Sequence, residues 1–125
     1  MRVLLDTQLF VWATLGSPRL TRDARSGLME ADEVYVSAVS IWEIAIKARL
    51  GKIDVSSWQM MNAIEESGFK ELAITARHAA TIEGLPLHHR DPFDRLLVAQ
   101  AISEPMRLMT ADVMLARYSE LVILV

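Results

Sequence analysis

Apolar residues along this chain come in short blocks, and the blocks differ in period. Arg2 to Leu5, Val34-Tyr35-Val36, Arg107 to Thr110 and Leu121 to Val125 are strand-length runs with little polar interruption, the pattern of strands covered on both faces. Phe69 to Ala73 is a weaker run of mixed polarity and is expected near a sheet edge. Between these runs lie segments with helical punctuation. Gln8 to Leu15 stops at the breaker cluster Gly16-Ser17-Pro18. Thr21 is placed to cap a helix through Met29, with Leu20 and Ala24 set like a hydrophobic staple. Ser37 or Ser40 opens a third helix that runs to Leu50 and stops at Gly51. Ser56 or Ser57 opens a fourth, closed by Gly68, and Thr75 a fifth through Glu83.

The sharpest boundary is Asp91-Pro92-Phe93-Asp94, with Asp91 as N-cap, Pro92 at N1 and Asp94 at N3. Behind it, Leu96 to Ile102 is apolar nearly all round apart from Gln100, the mark of a helix buried within its domain. A short helix is expected around Val113 to Tyr118. Strands and helices alternate throughout, which predicts an α/β fold with a parallel sheet and helices on both faces.

Composition narrows the chemistry. A chain of 125 residues is long enough for one domain, 1–125, and too short for two. No apolar stretch approaches the roughly 18 residues of a membrane span, and the N-terminus has no leader pattern, so a soluble cytoplasmic protein is expected. There is no cysteine, which excludes disulfides, thiolate zinc sites and thiol catalysis. The net charge of −3 argues against sequence-independent coating of nucleic acid. It does not exclude RNA or DNA as substrate, because ten of the thirteen basic residues are arginines, the better phosphate fork. Trp12, Trp42, Trp58 and the methionines Met60, Met61, Met106 and Met109 read as core or interface packing. His88 and His89 read as loop residues, since adjacent histidines point different ways on most backbones.

Four acids carry the functional argument. Asp6 follows Val3-Leu4-Leu5, Glu43 lies in the third helix, Asp94 opens the buried helix, and Asp112 closes Leu108-Met109-Thr110. Each has an ordinary local role. Asp6 and Asp112 can cap the helices that follow them, Asp94 suits a helix dipole, and Glu43 pairs with Lys47 at i,i+4 within a Ser40-Ile41-Trp42-Glu43 capping-box pattern. In a parallel sheet, however, all four junctions face the same edge, where open α/β sheets bind ligands. Carboxylates gathered there repel unless a cation sits among them. Oxygen donors without thiolate or a histidine cluster favour Mg2+ or Mn2+, and the chemistry natural to such a site is phosphodiester hydrolysis. Asp91 is the cap and a secondary site candidate, and Arg90 and Arg95 flank the site as candidate RNA-phosphate ligands or as surface salt-bridge partners.

Val3-Leu4-Leu5-Asp6-Thr7, Ser40-Ile41-Trp42-Glu43-Ile44, Arg90-Asp91-Pro92-Phe93-Asp94-Arg95 and Thr110-Ala111-Asp112 together resemble the PIN-domain ribonucleases. Within them the chain looks most like the VapC-type toxins of bacterial toxin–antitoxin pairs, over essentially its whole length. The resemblance implies a Rossmann-like three-layer sandwich around a parallel sheet of about five strands. It implies an acidic quartet at Asp6, Glu43, Asp94 and Asp112, with the Thr110 hydroxyl as helper. It further implies one or two Mg2+ or Mn2+ ions, an RNA substrate, a homodimer, and a small VapB-like antitoxin that blocks the active site. One departure stands out: members with this opening often carry histidine where this chain has Gln8.

The leading expectation is thus a metal-dependent endoribonuclease, and the alternative a catalytically inactive PIN-fold module that binds RNA or protein. A phosphoacceptor receiver domain shares the alternating architecture. It would need a second acid where Thr7 stands and a lysine late in the chain, where none follows Lys70.

Overall fold

The computed structural model describes residues 1–88 and 90–125, so His89 lies outside the described residues. Among the described residues five strands form one sheet: β1 (Arg2–Leu5), β2 (Glu33–Ser37), β3 (Lys70–Leu72), β4 (Arg107–Thr110) and β5 (Val122–Leu124). Every pairing is parallel and the order is β3-β2-β1-β4-β5. Among the described residues six α-helices connect the first four strands: α1 (Thr7–Leu15), α2 (Arg22–Glu30), α3 (Ala38–Arg49), α4 (Ser57–Glu66), α5 (Ala76–Thr81) and α6 (Pro92–Ser103).

Alternation within the strands sorts the core into two layers. Val3, Leu5, Val34, Val36 and Met109 point to one face, where α1, α2 and α4 contribute Leu9, Phe10, Ala24, Met60 and Ile64. Leu4, Leu72 and Leu108 point to the other, covered by Leu97, Val98 and Ala101 of α6. Helix α3 reaches both layers, giving Ile44 to the first and Val39 to the second. The three-layer α/β sandwich is therefore as the hydrophobic pattern requires, with β1 at its centre.

The helix starts obey local chemistry. Asp6, Thr21, Ser37, Ser56, Thr75 and Asp91 each accept a hydrogen bond from a backbone N–H in the first turn. Ser37, and not Ser40, caps α3. The Ser40–Glu43 capping box is consequently not formed, and the Ser40 hydroxyl instead accepts from Thr7 Oγ1 at 2.8 Å.

Three expectations need correction. The fifth helix ends at Thr81 and continues only as a 3₁₀ turn over Ile82–Gly84. The helix expected around Val113 to Tyr118 is a single 3₁₀ turn, Leu115–Arg117, because Asp112 Oδ1 holds Met114 N–H in a tight local bend. The final strand is an edge strand with Leu124 about half exposed, so its apolar run does not mark full burial. Trp42 and Trp58 stand outside the core, at 56% and 74% exposure. Among the described residues, no helix is long and apolar enough to cross a membrane.

Leu97 is fully buried where α6 meets β1 and β4. Leu97→Ala is expected to cost about 2–5 kcal/mol, read as a lowered urea midpoint with an unchanged slope.

Candidate functional site

In a parallel sheet the chain leaves every strand at one edge, and connecting helices begin there. The sheet order adds a reversal: the connections after β1 lead to β2, those after β4 to β5, on opposite sides. The crevice between the ends of β1 and β4 is the topological switch point. A cavity of about 360 Å3 opens at this place, lined by Asp6, Glu43, Asp91, Asp94 and Asp112, with Lys47, Gln8 and Trp12 on its wall. The four acids singled out from the sequence thus share one cavity, and Asp91 joins them.

Asp6 is the most constrained of the group. It is buried at the end of β1, where its Oδ1 accepts Leu9 N–H at 2.8 Å and its Oδ2 accepts the Thr110 hydroxyl at 2.5 Å. Thr110 Oγ1 in turn accepts Asp112 N–H at 3.0 Å, so one hydroxyl links the ends of both central strands. Burial raises the Asp6 pKa from the ordinary 3.8 to about 6. The hydrogen bonds from Thr110 and Leu9 oppose that rise, and the charges of Glu43 and Asp112 reinforce it. Asp6 thus caps α1 and also lines the cavity.

Glu43 lies on the buried side of α3. Its Oε2 accepts from Lys47 Nζ at 2.6 Å, while among the described residues its buried Oε1 has no hydrogen-bond partner. The Lys47 ammonium is held charged above its ordinary range chiefly by that hydrogen bond. Partial burial works against this, and the charges of Glu43, Asp91 and Asp94 add to it. Sequence reading saw the pair as helix-surface support; in the fold Lys47 is the cation of the cavity wall.

Asp91 Oδ1 accepts both Phe93 and Asp94 N–H groups, which confirms it as the cap and turns α6 so that Asp94 faces the cavity. The helices carrying the acids are tied together by Thr7–Ser40 between α1 and α3, and by an edge-to-face contact of Trp42 with Phe93 between α3 and α6. Neither tie was visible in the sequence, because each joins residues far apart in the chain. Arg90 and Arg95 do not line the cavity. Arg90 is exposed, and Arg95 donates to Pro86 O at 2.9 Å and to Tyr118 Oη at 3.1 Å.

The donor set suits a hard divalent cation: oxygen ligands only, a carboxylate raised in pKa chiefly by burial and further by its acidic neighbours, and a buried carboxylate oxygen left without a partner. Among the described residues, no trio of acidic or imidazole side chains stands close enough to grip one ion as it is.

Fold and cavity together define an α/β protein with an acid-lined cavity at its switch point. The chain belongs to the PIN-domain family, whose pattern matches residues 3–121. It is 35% identical to Ribonuclease VapC22 of Mycobacterium tuberculosis over 115 residues, covering 88% of this chain and 86% of that protein. Similar folds include VapBC2 of Rickettsia felis, solved bound to a promoter DNA fragment, at a TM-score of 0.68 and 17% identity over 100% of this chain and 98% of that one. A toxin–antitoxin complex from Klebsiella pneumoniae gives 0.68 and 17% over 97% and 95%. FitAB bound to a DNA fragment gives 0.66 and 19% over 97% and 93%.

The Asp6 pKa has a consequence for stability. Unfolded, the carboxyl titrates near 3.8; folded, near 6. Between those values the unfolded chain has released a proton that the folded chain retains. Ion-free stability is therefore expected to fall as pH rises through this window, by about 3 kcal/mol, and to level off above it. Asp6→Asn should remove that part of the fall, as measured by urea unfolding in EDTA across the window. Identical pH profiles for the two proteins would refute it.

Proposed function

We propose that this chain, acting as one domain over residues 1–125, is a Mg2+- or Mn2+-dependent endoribonuclease and the toxin of a VapBC-type toxin–antitoxin pair. The observation that carries the reading is the convergence of Asp6, Glu43, Asp94 and Asp112 on one switch-point cavity. The identity to a ribonuclease of the VapC group over most of both chains supports it. The toxin–antitoxin complex among its structural relatives supports an antitoxin as partner, and a small antitoxin that blocks the cavity is our reading. A homodimer is part of the same reading.

Asp6, Asp94 and Asp112 would be the principal ligands of one or two ions. Glu43 would act through water or by orienting the attacking water. When bound, such an ion supplies an acidified water and positive charge opposite the phosphate as negative charge builds there. The chain's own contribution is positional. Thr110 and Leu9 N–H fix both oxygens of Asp6, so its rotamer is set before any ligand arrives. Lys47 neutralises one oxygen of Glu43 and leaves the other available. Asp91, as the cap of α6, sets the direction of Asp94. The expected products are a 5′-phosphate and a 3′-hydroxyl. Single-stranded or looped RNA is the expected substrate shape, because its bases and backbone can be reached.

Asp94→Asn is expected to reduce cleavage of single-stranded RNA on the order of a hundredfold, and EDTA to abolish cleavage until Mn2+ or Mg2+ is restored. Saturating ion should raise wild-type stability, by about 2.7 kcal/mol at a hundred times its Kd, and Asp6→Asn should lose most of that gain. Full cleavage by Asp6→Asn would reject the assignment of the quartet. A catalytically silent binding module would show neither cleavage nor ion-dependent stabilisation.

A further inference from the structure

The acid cavity is not closed on every side. Between one face of α1 and the turn after α3 it runs into a second groove of about 380 Å3. Cavity and groove share Gln8, Val11, Trp12, Lys47 and Ile53. The charge reverses on passing from one to the other. The groove's charged lining is Arg19, Lys47 and Lys52, with no carboxylate, in a chain that has more acids than bases. Lys47 is already bonded to Glu43. Among the described residues the side chains of Arg19 and Lys52 make no ion pair or hydrogen bond, and both residues are exposed.

The segments carrying these two cations are fixed in the same way. At the end of α1, Gly16 takes φ 64° and Ser17 N–H donates back to Trp12 O at 2.9 Å. At the end of α3, Gly51 takes φ 72° and Lys52 N–H donates back to Lys47 O at 2.8 Å. These are glycine-closed helix ends, which fix the direction in which the chain leaves each helix. Lys52 lies past the C-cap Leu50, so the dipole of α3 accounts for Lys47 in its last turn and not for Lys52. It does not account for Arg19 meeting them from another segment, nor for the lack of any acid in the lining. The apolar floor of Val11, Leu15 and Ile53 would suit a peptide; the cations and the continuity with the cavity favour a polyanion.

We propose, resting on the nuclease reading above, that this groove carries the single-stranded RNA flank that leaves the acid cavity. Arg19 and Lys52 bond the phosphates next to the one being cut, and Trp12, on the wall between cavity and groove, offers a base a face to stack on. The acid cavity alone repels a polyanion; the adjoining cations supply the attraction that brings the strand to it.

The test uses the full chain carrying Asp94→Asn to prevent turnover, with a fluorescein-labelled single-stranded RNA of about 12 nucleotides. R19A combined with K52A is expected to lower affinity about tenfold and to make the slope of log affinity against log salt shallower by about 1.4. R77A, which removes a charge from α5 outside the groove, should leave both unchanged. In the otherwise unaltered enzyme, R19A with K52A should raise KM for RNA more than it lowers kcat. Unchanged affinity and slope overturn the assignment and leave the groove to a protein segment. Wild-type protein that cuts no RNA, while the paired substitution still weakens binding, sinks the nuclease reading and supports the groove. Wild-type protein that cuts, while the paired variant binds undiminished, sinks the groove alone.

Discussion

Asp6 is an ionisable group buried at the end of the central strand, and a carboxylate in that position must be compensated. Compensation comes first from the chain itself. The Thr110 hydroxyl and Leu9 N–H take one oxygen each, and in doing so they join the ends of β1 and β4 to the start of α1. They do not fully offset burial and the acidic neighbours, since the Asp6 pKa remains raised to about 6. The rest of the site can be understood as what surrounds that residual cost. Glu43, Asp94 and Asp112 approach it from three other elements, and Lys47 balances only one of them directly.

The fold supplies the convergence without any special device. A parallel sheet sends every strand exit and every helix start to one edge. The order β3-β2-β1-β4-β5 then parts the connections on either side of β1 and β4. Acids separated by much of the chain length become neighbours because their elements end at the same place. The same geometry lets N-caps serve twice. Asp6 and Asp91 satisfy helix N–H groups and, by the direction in which they do so, aim carboxylates at the cavity.

Charge is zoned over a short distance. The cavity is acidic apart from Lys47, and the groove that continues from it along α1 is cationic. A net charge of −3 conceals this division. Under the proposed function the two zones divide the work: negative donors where an ion would be held, and positive side chains where the strand would be attracted. Arg95, which stands beside Asp94 in sequence, is instead engaged with Pro86 and Tyr118.

Strand positions, caps and glycine stops were legible in the sequence because each depends on residues within about a turn of one another. Asp91-Pro92-Phe93-Asp94 and the closures at Gly51 and Gly68 are of this kind. The four acids were legible too, as residues at successive junctions of an alternating pattern. Tertiary structure decided what involves distant partners. It turned Ser40 from a supposed cap into the acceptor of the Thr7 hydroxyl, placed Trp42 and Trp58 at the surface, and reduced the segment after Asp112 to one 3₁₀ turn. It also made Lys47 part of the cavity and brought Arg19 to Lys52 across a groove. Hydrophobic period and capping chemistry are local and survive in one dimension. Which side chains meet at a cavity depends on strand order and on the direction in which helices cross the sheet, and those are set only when the layers pack.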